Sequence, residues 1–292
     1  MDTEFCDLAR LLRAELTAVH QQFFHMLALR QWQNRELLDR VAGVDTEDFK
    51  NVMQIIDLLV ENAMPIVLES HEFSPGSNLP SILHAELRME KHLAEIIGSM
   101  QLTDAKALAR VHRAAAPRQQ YREWLEAHAV ESEAGTGSVE TGRKMGVFIA
   151  HLIALVEQAM LHAFLFRHLG RGAEADNAWR LSGAAMLYGT ALVRRGAASN
   201  TVPTPARIPA VRIAATPNDA FEADMSLVRR CANLGRGAAE AEASESMQRV
   251  CIRIVGDCDL IAGMRMTDDF PAVFGRSSVF ESFAATCEQH LK

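Results

Sequence analysis

The sequence predicts an all-α protein that is built from two helical domains. Along most of its 292 residues, apolar side chains recur every three or four positions, which is the spacing of one face of an α-helix. Strand-like alternation and clusters of valine, isoleucine and threonine are scarce. A chain of this length is long for one domain and suits two of about 150 residues, each large enough to bury its own core.

Four helices are predicted in the first half of the chain, at residues 3–32, 46–70, 81–100 and 103–130. Gly43 marks the turn before the second helix. The Met64-Pro65 step should bend that helix, and Pro117 should kink the fourth, because proline removes a backbone donor and crowds the preceding turn. The first helix has an inward stripe that carries two polar residues, Glu15 and Gln22, within an apolar face.

A flexible linker is predicted at residues 132–142, where the sequence is SEAGTGSVETG. It separates a first domain at 1–131 from a second at 143–292. Helices are predicted in the second domain at residues 143–169, 174–198, 218–234 and 238–266, with a short amphipathic piece at 279–290. The proline-punctuated segment 199–217 is long enough to travel the length of a helical bundle, as in bundles with one long crossover connection.

The composition argues against some classes of binding partner and favours one cellular compartment. Acidic residues outnumber basic ones by 37 to 30 and no basic block exceeds a pair of arginines, which argues against nucleic-acid binding. The five cysteines form no Cys-x-x-Cys pair and the N-terminus does not resemble a secretory signal, so we expect a cytoplasmic protein. Residues 145–166 are strongly apolar but include Glu157 near the middle, which favours a buried helix over a membrane span.

Two segments of the first half carry a family resemblance. Residues 14–25 (AELTAVHQQFFH) place an aromatic cluster after Glu15, and residues 83–98 (LHAELRMEKHLAEIIG) contain Glu86. These segments resemble the first and third helices of bacterioferritins, in the ferritin-like superfamily. The resemblance implies two tandem ferritin-like four-helix bundles packed as a pseudo-dimer, with a metal-binding glutamate at both positions.

The second half echoes the first at two places. Glu157 and His162 repeat the spacing of Glu15 and His20, close to half the chain further on. Residues 221–225 (FEADM) echo residues 85–89 (AELRM) at a similar offset. We interpret these echoes, which occur in the same order in both halves, as the trace of an internal duplication.

The ligand set departs from the family pattern. Ferritin-like di-iron sites take a glutamate from each of two helices and a Glu-x-x-His motif from each of the other two, and this chain has no Glu-x-x-His. By rough placement, Gln54 and Asp57 stand where the first such motif would lie. Arg118 and Tyr121 stand where the second would lie, and an arginine there argues against a standard di-iron centre.

Carboxylates on core faces are the candidate metal ligands, because hard oxygen donors suit iron or manganese. The candidates are Glu15, Glu86, Glu157 and Asp257, with His20, Gln22, Arg118, Tyr121 and His162 as residues around the metal or the substrate. The alternative is a pair of inherited core carboxylates with no metal, neutralised by Arg118 or hydrogen-bonded to Gln22 and Tyr121. Each histidine follows its glutamate by five residues, about 140° around the helix, so the two do not share a face.

Three functions follow from these observations. The first is a ferritin-like non-haem iron oxidoreductase or oxygenase that acts on a small organic substrate through an atypical metal site. The second is a metal-free, degenerate ferritin-like binding or scaffold protein with a pocket between its bundles. Iron storage ranks third, because it requires a ferroxidase centre and a multi-subunit shell. We expect a small molecule as the binding partner, and neither nucleic acid nor a membrane. A homodimer is possible.

Overall fold

The computed structural model describes residues 3–61, 66–76, 78–100, 118–129, 139–198, 203–214, 216–242 and 244–265. These residues are mostly α-helical, with four strands of two or three residues, so the all-α class is confirmed. The elements are α1 (Thr3–Gln31), α2 (Arg35–Glu61), β1 (Val67–Leu68), β2 (His71–Phe73), α3 (Leu79–Ser99), α4 (118–128), α5 (Val139–His168), α6 (Gly172–Ala198), β3 (Ala206–Ile208), β4 (Val211–Arg212), α7 (Pro217–Ala241) and α8 (Glu245–Ala262).

The chain divides into two compact units. Unit 1 comprises Met1–Gly137 and Val202–Ala210, and unit 2 comprises Ser138–Thr201 and Val211–Lys292. The main division therefore falls inside the predicted linker, but a short segment from the second half of the sequence belongs to unit 1. Val139 already begins α5, so the last four residues of the predicted linker are helical.

In unit 1, α1 packs against α2 and α3, and α4 completes the core between them. One apolar cluster takes residues from all four helices: Ala28, Leu29, Leu37, Val41, Val44, Ile82, Leu83, Tyr121 and Leu125. The guanidinium of Arg40 lies over the Trp124 ring at 4.5 Å, which adds a cation–π contact between α2 and α4. The beginning of the predicted fourth helix and its kink at Pro117 lie outside the described residues.

The predicted turn at Gly43 is wrong, because α2 begins at Arg35 and continues through the glycine. The side-chain Oδ1 of Asn34 accepts the backbone N–H of Leu37 at 3.2 Å and so caps the helix start. A β-carbon on Gly43 would have no neighbour within 4 Å, so the glycine lies on an open face. The buried stripe through Val41 and Val44 continues past it, and packing outweighs the low helix propensity of glycine. The Met64-Pro65 step lies outside the described residues.

The segment between α2 and α3 contains strands that the sequence did not predict. Strand β2 pairs antiparallel with β3, with Glu72 opposite Arg207 and Phe73 opposite Ala206. This segment between α2 and α3 is extended, and Phe73 at the end of β2 is fully buried. Buried backbone N–H and C=O groups need hydrogen-bond partners. Short strand pairing therefore satisfies the backbone where no helix forms.

In unit 2, α5 packs against α6 and α7, and α8 packs against both α6 and α7. The stretch Thr141–His168 is long and apolar enough to span a membrane, yet 89% of its apolar window is buried within the protein. Its helical neighbours cover it on more than one side, which explains why most of the residues at 145–166 are apolar. This burial agrees with the interpretation of residues 145–166 as a core helix.

The predicted boundary between the last two long helices is also wrong. Helix α7 continues through the glycines at 235 and 237 to Ala241, and α8 begins after its cap at Ser244. A β-carbon on Gly235 would lie 2.7 Å from Cγ2 of Val255, so this glycine allows close approach of helices rather than a turn. The predicted piece at residues 279–290 lies outside the described residues.

Candidate functional site

The core of unit 1 contains a buried arginine between two buried glutamates. Arg118, at the start of α4, donates from Nη1 to Oε1 of Glu90 at 2.8 Å and from Nη2 to Oε2 of Glu15. The relative exposures of Glu15 and Glu90 are 1% and 2%. The guanidinium therefore ties α1, α3 and α4 together by two charge-assisted hydrogen bonds that are shielded from water.

Glu86 forms the second part of this network. Nδ1 of His25 lies 2.5 Å from Oε1 of Glu86, and the hydroxyl of Tyr121 donates to Oε2 at 3.2 Å. Nε2 of His25 lies 2.9 Å from the carbonyl oxygen of Ser74, just after β2. Helices α1, α3 and α4 and the crossing segment thus meet at one carboxylate.

Burial dominates the electrostatics of the two glutamates that hold Arg118. Desolvation raises the pKa of Glu90 to about 7; Arg118 opposes this shift, and Glu86 and Glu15 add to it. Desolvation likewise raises the pKa of Glu15 against the lowering effect of Arg118. Burial, with Glu86 and Glu15 nearby, therefore outweighs the effect of Arg118 and favours a proton on Glu90 near neutral pH.

The side-chain amides of two adjacent glutamines on α1 differ in their hydrogen bonds. Oε1 of Gln21 accepts the backbone N–H of Ser74 at 3.3 Å. Gln22 is 1% exposed, and neither its amide nitrogen nor its amide oxygen has a hydrogen-bond partner among the described residues. The predicted hydrogen bonds from Gln22 to the core carboxylates are absent there, while those from Arg118 and Tyr121 are present.

Unit 2 contains a histidine–carboxylate pair of the same kind. Oδ1 of Asp224 on α7 receives hydrogen bonds from Nδ1 of His162 and from Nε2 of Gln158, both at 2.9 Å. The backbone N–H of Ala214 donates to Nε2 of His162 at 3.3 Å. Asp224 also borders a cavity of about 20 Å³, which has room for about one water molecule.

The two histidine–carboxylate networks correspond at three positions. His25 corresponds to His162, Glu86 to Asp224, and the backbone of Ser74 to that of Ala214. The three pairs are separated by nearly the same length of sequence, which is also close to the offset of the two sequence echoes. At the spacing of the histidines, the counterpart of Glu157 in the first half is His20 and not Glu15.

The other predicted site residues occupy separate positions. Glu157 is completely buried on α5, and His20 is 3% exposed on α1. Asp257 is half-buried on α8, where its Oδ2 accepts the hydroxyl of Tyr188 at 3.0 Å. Burial and the neighbouring Asp257 raise the pKa of Tyr188, so this phenol stays protonated.

The residues of unit 1 do not fit a di-iron centre as they are arranged. Gln54 and Asp57, placed where a Glu-x-x-His would lie, are exposed on α2, so that placement is wrong. No group of three or more His, Cys, Asp or Glu side chains within the described ranges could hold a metal ion. The carboxylates of Glu15, Glu86 and Glu90 instead accept hydrogen bonds from arginine, histidine and tyrosine, as described above.

Three central residues are not among the candidate site residues predicted from the sequence: His25, Glu90 and Asp224. Glu90 follows Glu86 by four residues and shares its helix face, so the spacing identified it as an inward carboxylate. His25 follows Gln22 by three residues and was detectable by the same argument. Asp224 had no such signal, because the echo of the third helix pointed to Glu222, which is exposed, whereas Asp224 is 3% exposed and therefore buried.

A groove of about 550 Å³ lies on the surface of unit 1, at the turn from α1 to α2. Its lining is largely apolar, with three charged residues: Phe23, Met26, Leu27, Leu29, Arg30, Gln33, Arg35, Leu38 and Asp39. This volume is in the range of small-molecule sites, about 300–1,000 Å³.

The comparisons with known proteins add no assignment. No protein-family model matches this sequence. Neither the curated proteins nor the solved structures give a significant match.

Proposed function

We propose that this chain is a metal-independent binding protein on a divergent tandem ferritin-like fold. The observation that carries the proposal is Arg118, whose guanidinium bridges Glu15 and Glu90 in the core of unit 1. In this view, arginine balances the carboxylates that a metal ion balances in related helical bundles. The paired histidine–carboxylate networks of the two units support the tandem character.

The chemistry of the guanidinium supports the view that Arg118 permanently takes the place of a metal ion. Arginine stays protonated in proteins and cannot act as a metal ligand. A divalent cation at Glu15 and Glu90 would face this positive charge at hydrogen-bond distance. A proton on Glu90 near neutral pH further reduces its value as a ligand, because metal ligands must be deprotonated.

The iron oxidoreductase or oxygenase stays the competing proposal. Its support is that Glu15, Glu86 and Glu90 all lie buried on facing helices. Elemental analysis of the purified full chain, after growth with added iron and manganese, separates the two proposals. We expect less than about a tenth of an equivalent of either metal. One equivalent of metal that is lost in Glu15→Ala and Glu86→Ala would overturn the metal-independent function.

A variant tests the role of Arg118 directly. Arg118→Gln removes the charge and releases Glu15 and Glu90, so we expect this variant to bind Mn²⁺ more tightly than the wild type. Arg88→Gln is the matched control, because Arg88 lies exposed on α3. Calorimetric titration with Mn²⁺ measures both. Equal Mn²⁺ binding in all three proteins would show that Arg118 does not take the place of a metal.

The ligand class follows from the groove between α1 and α2. Apolar side chains form most of its surface, and the two arginines at its edge outnumber the one aspartate. We therefore assign it to a small organic acid with an apolar body. Octanoate should raise the Tm of the full chain more than the neutral octanol does, and Arg35→Gln should remove that difference. An identical shift with both probes would contradict the assignment.

A further inference from the structure

The buried histidines of the two units make opposite hydrogen bonds at Nε2. In unit 1, Nε2 of His25 faces the carbonyl oxygen of Ser74, and a carbonyl oxygen only accepts. Nε2 of His25 must therefore carry a proton. In unit 2, Nε2 of His162 faces the backbone N–H of Ala214, and an N–H only donates. Nε2 of His162 must therefore be unprotonated.

The bonds at Nδ1 complete the assignment for His162. Its Nδ1 lies 2.9 Å from Oδ1 of Asp224 and carries the single proton of a neutral imidazole. The ring is fully buried, so neither nitrogen is open to bulk solvent. His162 is thus fixed as one tautomer, with one nitrogen donating to α7 and the other accepting from the segment that follows β4.

We propose that His162 is an acid-sensitive clasp for the segment that leads into α7. A proton on Nε2 would place its N–H against the N–H of Ala214 and abolish that hydrogen bond. The carboxylate of Asp224 stabilises the resulting imidazolium, so it favours the released form. The corresponding clasp at His25 is insensitive, because its Nε2 already donates.

The charged groups that face this site come from two elements. Helix α7 supplies Asp224, and Glu174 at the start of α6 borders the same small cavity. Within α5, the neutral amide of Gln158 shares Oδ1 of Asp224, and Phe166 packs against the ring at 6.3 Å between centroids. Arg171, just before α6, pairs with Glu174 at 2.5 Å and offsets its charge, so Asp224 is the charged group that contacts the ring directly.

Release affects the beginning of α7 because the clasp lies next to its cap. Ala214 precedes the N-cap Thr216 by two residues, and the Thr216 side chain accepts the backbone N–H of Asp219 at 3.2 Å. Loss of the clasp removes the hydrogen bond of Ala214, two residues before this cap. We infer that acid loosens the first turn of α7 together with the cavity beside Asp224.

The experiment measures the tautomer of His162 and the hydrogen exchange of the segment before α7, both in the full chain. Histidine-selective ¹⁵N NMR, from about pH 7.5 to about pH 5, should show His162 change from the Nδ1–H tautomer to the imidazolium. Hydrogen exchange of residues 211–216, corrected for intrinsic rates, should rise at least about tenfold over that range while residues 71–76 show no such rise. An Nε2–H tautomer at neutral pH, or equal acceleration of both segments, would overturn the proposal.

A substitution isolates the titrating group. His162→Gln keeps an amide oxygen that can accept from Ala214 but cannot be protonated in this pH range. We expect its exchange at residues 211–216 to lose the acid-dependent rise. If this variant does not fold, the NMR titration of the wild-type chain still decides the proposal, because a His162 that remains neutral down to about pH 5 contradicts it.

Discussion

Gly235 of α7 faces Phe148 of α5 so closely that a β-carbon on the glycine would lie 2.9 Å from Cζ of the ring. The phenylalanine is fully buried, so it cannot move away without disturbing the core of unit 2. Close contact of this kind makes the residue at position 235 a constraint on helix spacing.

Gly235→Ala should therefore destabilise the protein even though alanine is the better helix former. Overpacking should lower the free energy of unfolding by about 1–3 kcal/mol. Gly237→Ala is the matched control on the same helix, because its β-carbon would meet nothing within 4 Å. It should raise stability by about 0.4–1 kcal/mol. Urea unfolding of both variants measures the difference, and equal effects would contradict close packing at Gly235.

Removal of Arg118 should be among the most damaging single changes in unit 1. Arg118→Met leaves Glu15 and Glu90 buried without their cation, which should cost roughly 3–5 kcal/mol. Adding Glu15→Gln and Glu90→Gln removes the stranded charges, so the triple variant should recover most of that loss. Urea unfolding near neutral pH compares the three proteins. A triple variant no more stable than Arg118→Met would show that burial of charge is not the cause.

Glu90 gives unit 1 a specific pH dependence. Its pKa is raised from 4.5 to about 7, so between these values the native state binds a proton that the unfolded state has released. The free energy of unfolding should therefore fall as pH rises through this window and change little above it. Glu90→Gln should flatten that slope, although Glu15, shifted in the same direction, retains part of it.

The measurement is urea unfolding at several pH values between about 4.5 and 8. Glu95→Gln serves as the control, because Glu95 is exposed on the same helix. An unchanged slope in Glu90→Gln would mean that Glu90 does not hold the proton.

Gln22 and Gln21 should respond in opposite ways to the same apolar replacement. Gln22→Met removes a buried amide that has no partner among the described residues, so we expect a gain of about 1 kcal/mol. Gln21→Met removes the acceptor of the Ser74 N–H and should cost about 1 kcal/mol. Thermal and urea unfolding measure both. A loss of stability in Gln22→Met would point to a bound guest or water at that amide.

Helical periodicity predicted the helices well and their ends less well. Apolar spacing identified α1, α3, α5 and α6 to within a few residues, because buried residues recur at helical spacing along the length of each. The errors came from glycines: Gly43 lies on an open face of α2, and Gly235 lies in a helix contact. A sequence shows where glycine stands but not whether a neighbour requires its small size.

The sequence predicted several residues of the candidate site, but it did not predict which of them form hydrogen bonds with each other. Arg118 and Tyr121 were named as partners of the two carboxylates from their placement against the family's ligand pattern, and the structure pairs Arg118 with Glu15 and Tyr121 with Glu86. The link from His25 to Ser74 depends on where the crossing segment settles, and no helical period encodes that. Asp224 required knowledge of which face of α7 is buried, because Glu222 stands two residues away.

The pairing of β2 with β3 can form only some time after β2 has been synthesised. Phe73 ends one strand, Ile208 ends the other, and nearly half of the chain lies between them. At about 5–20 residues per second, a ribosome needs roughly 7–27 s to make the partner after β2 has been made. During that interval the first half of a nascent chain carries an unpaired strand edge, which a neighbouring nascent chain on the same message can occupy. Slow translation between these strands would favour such mispairing over the native crossing.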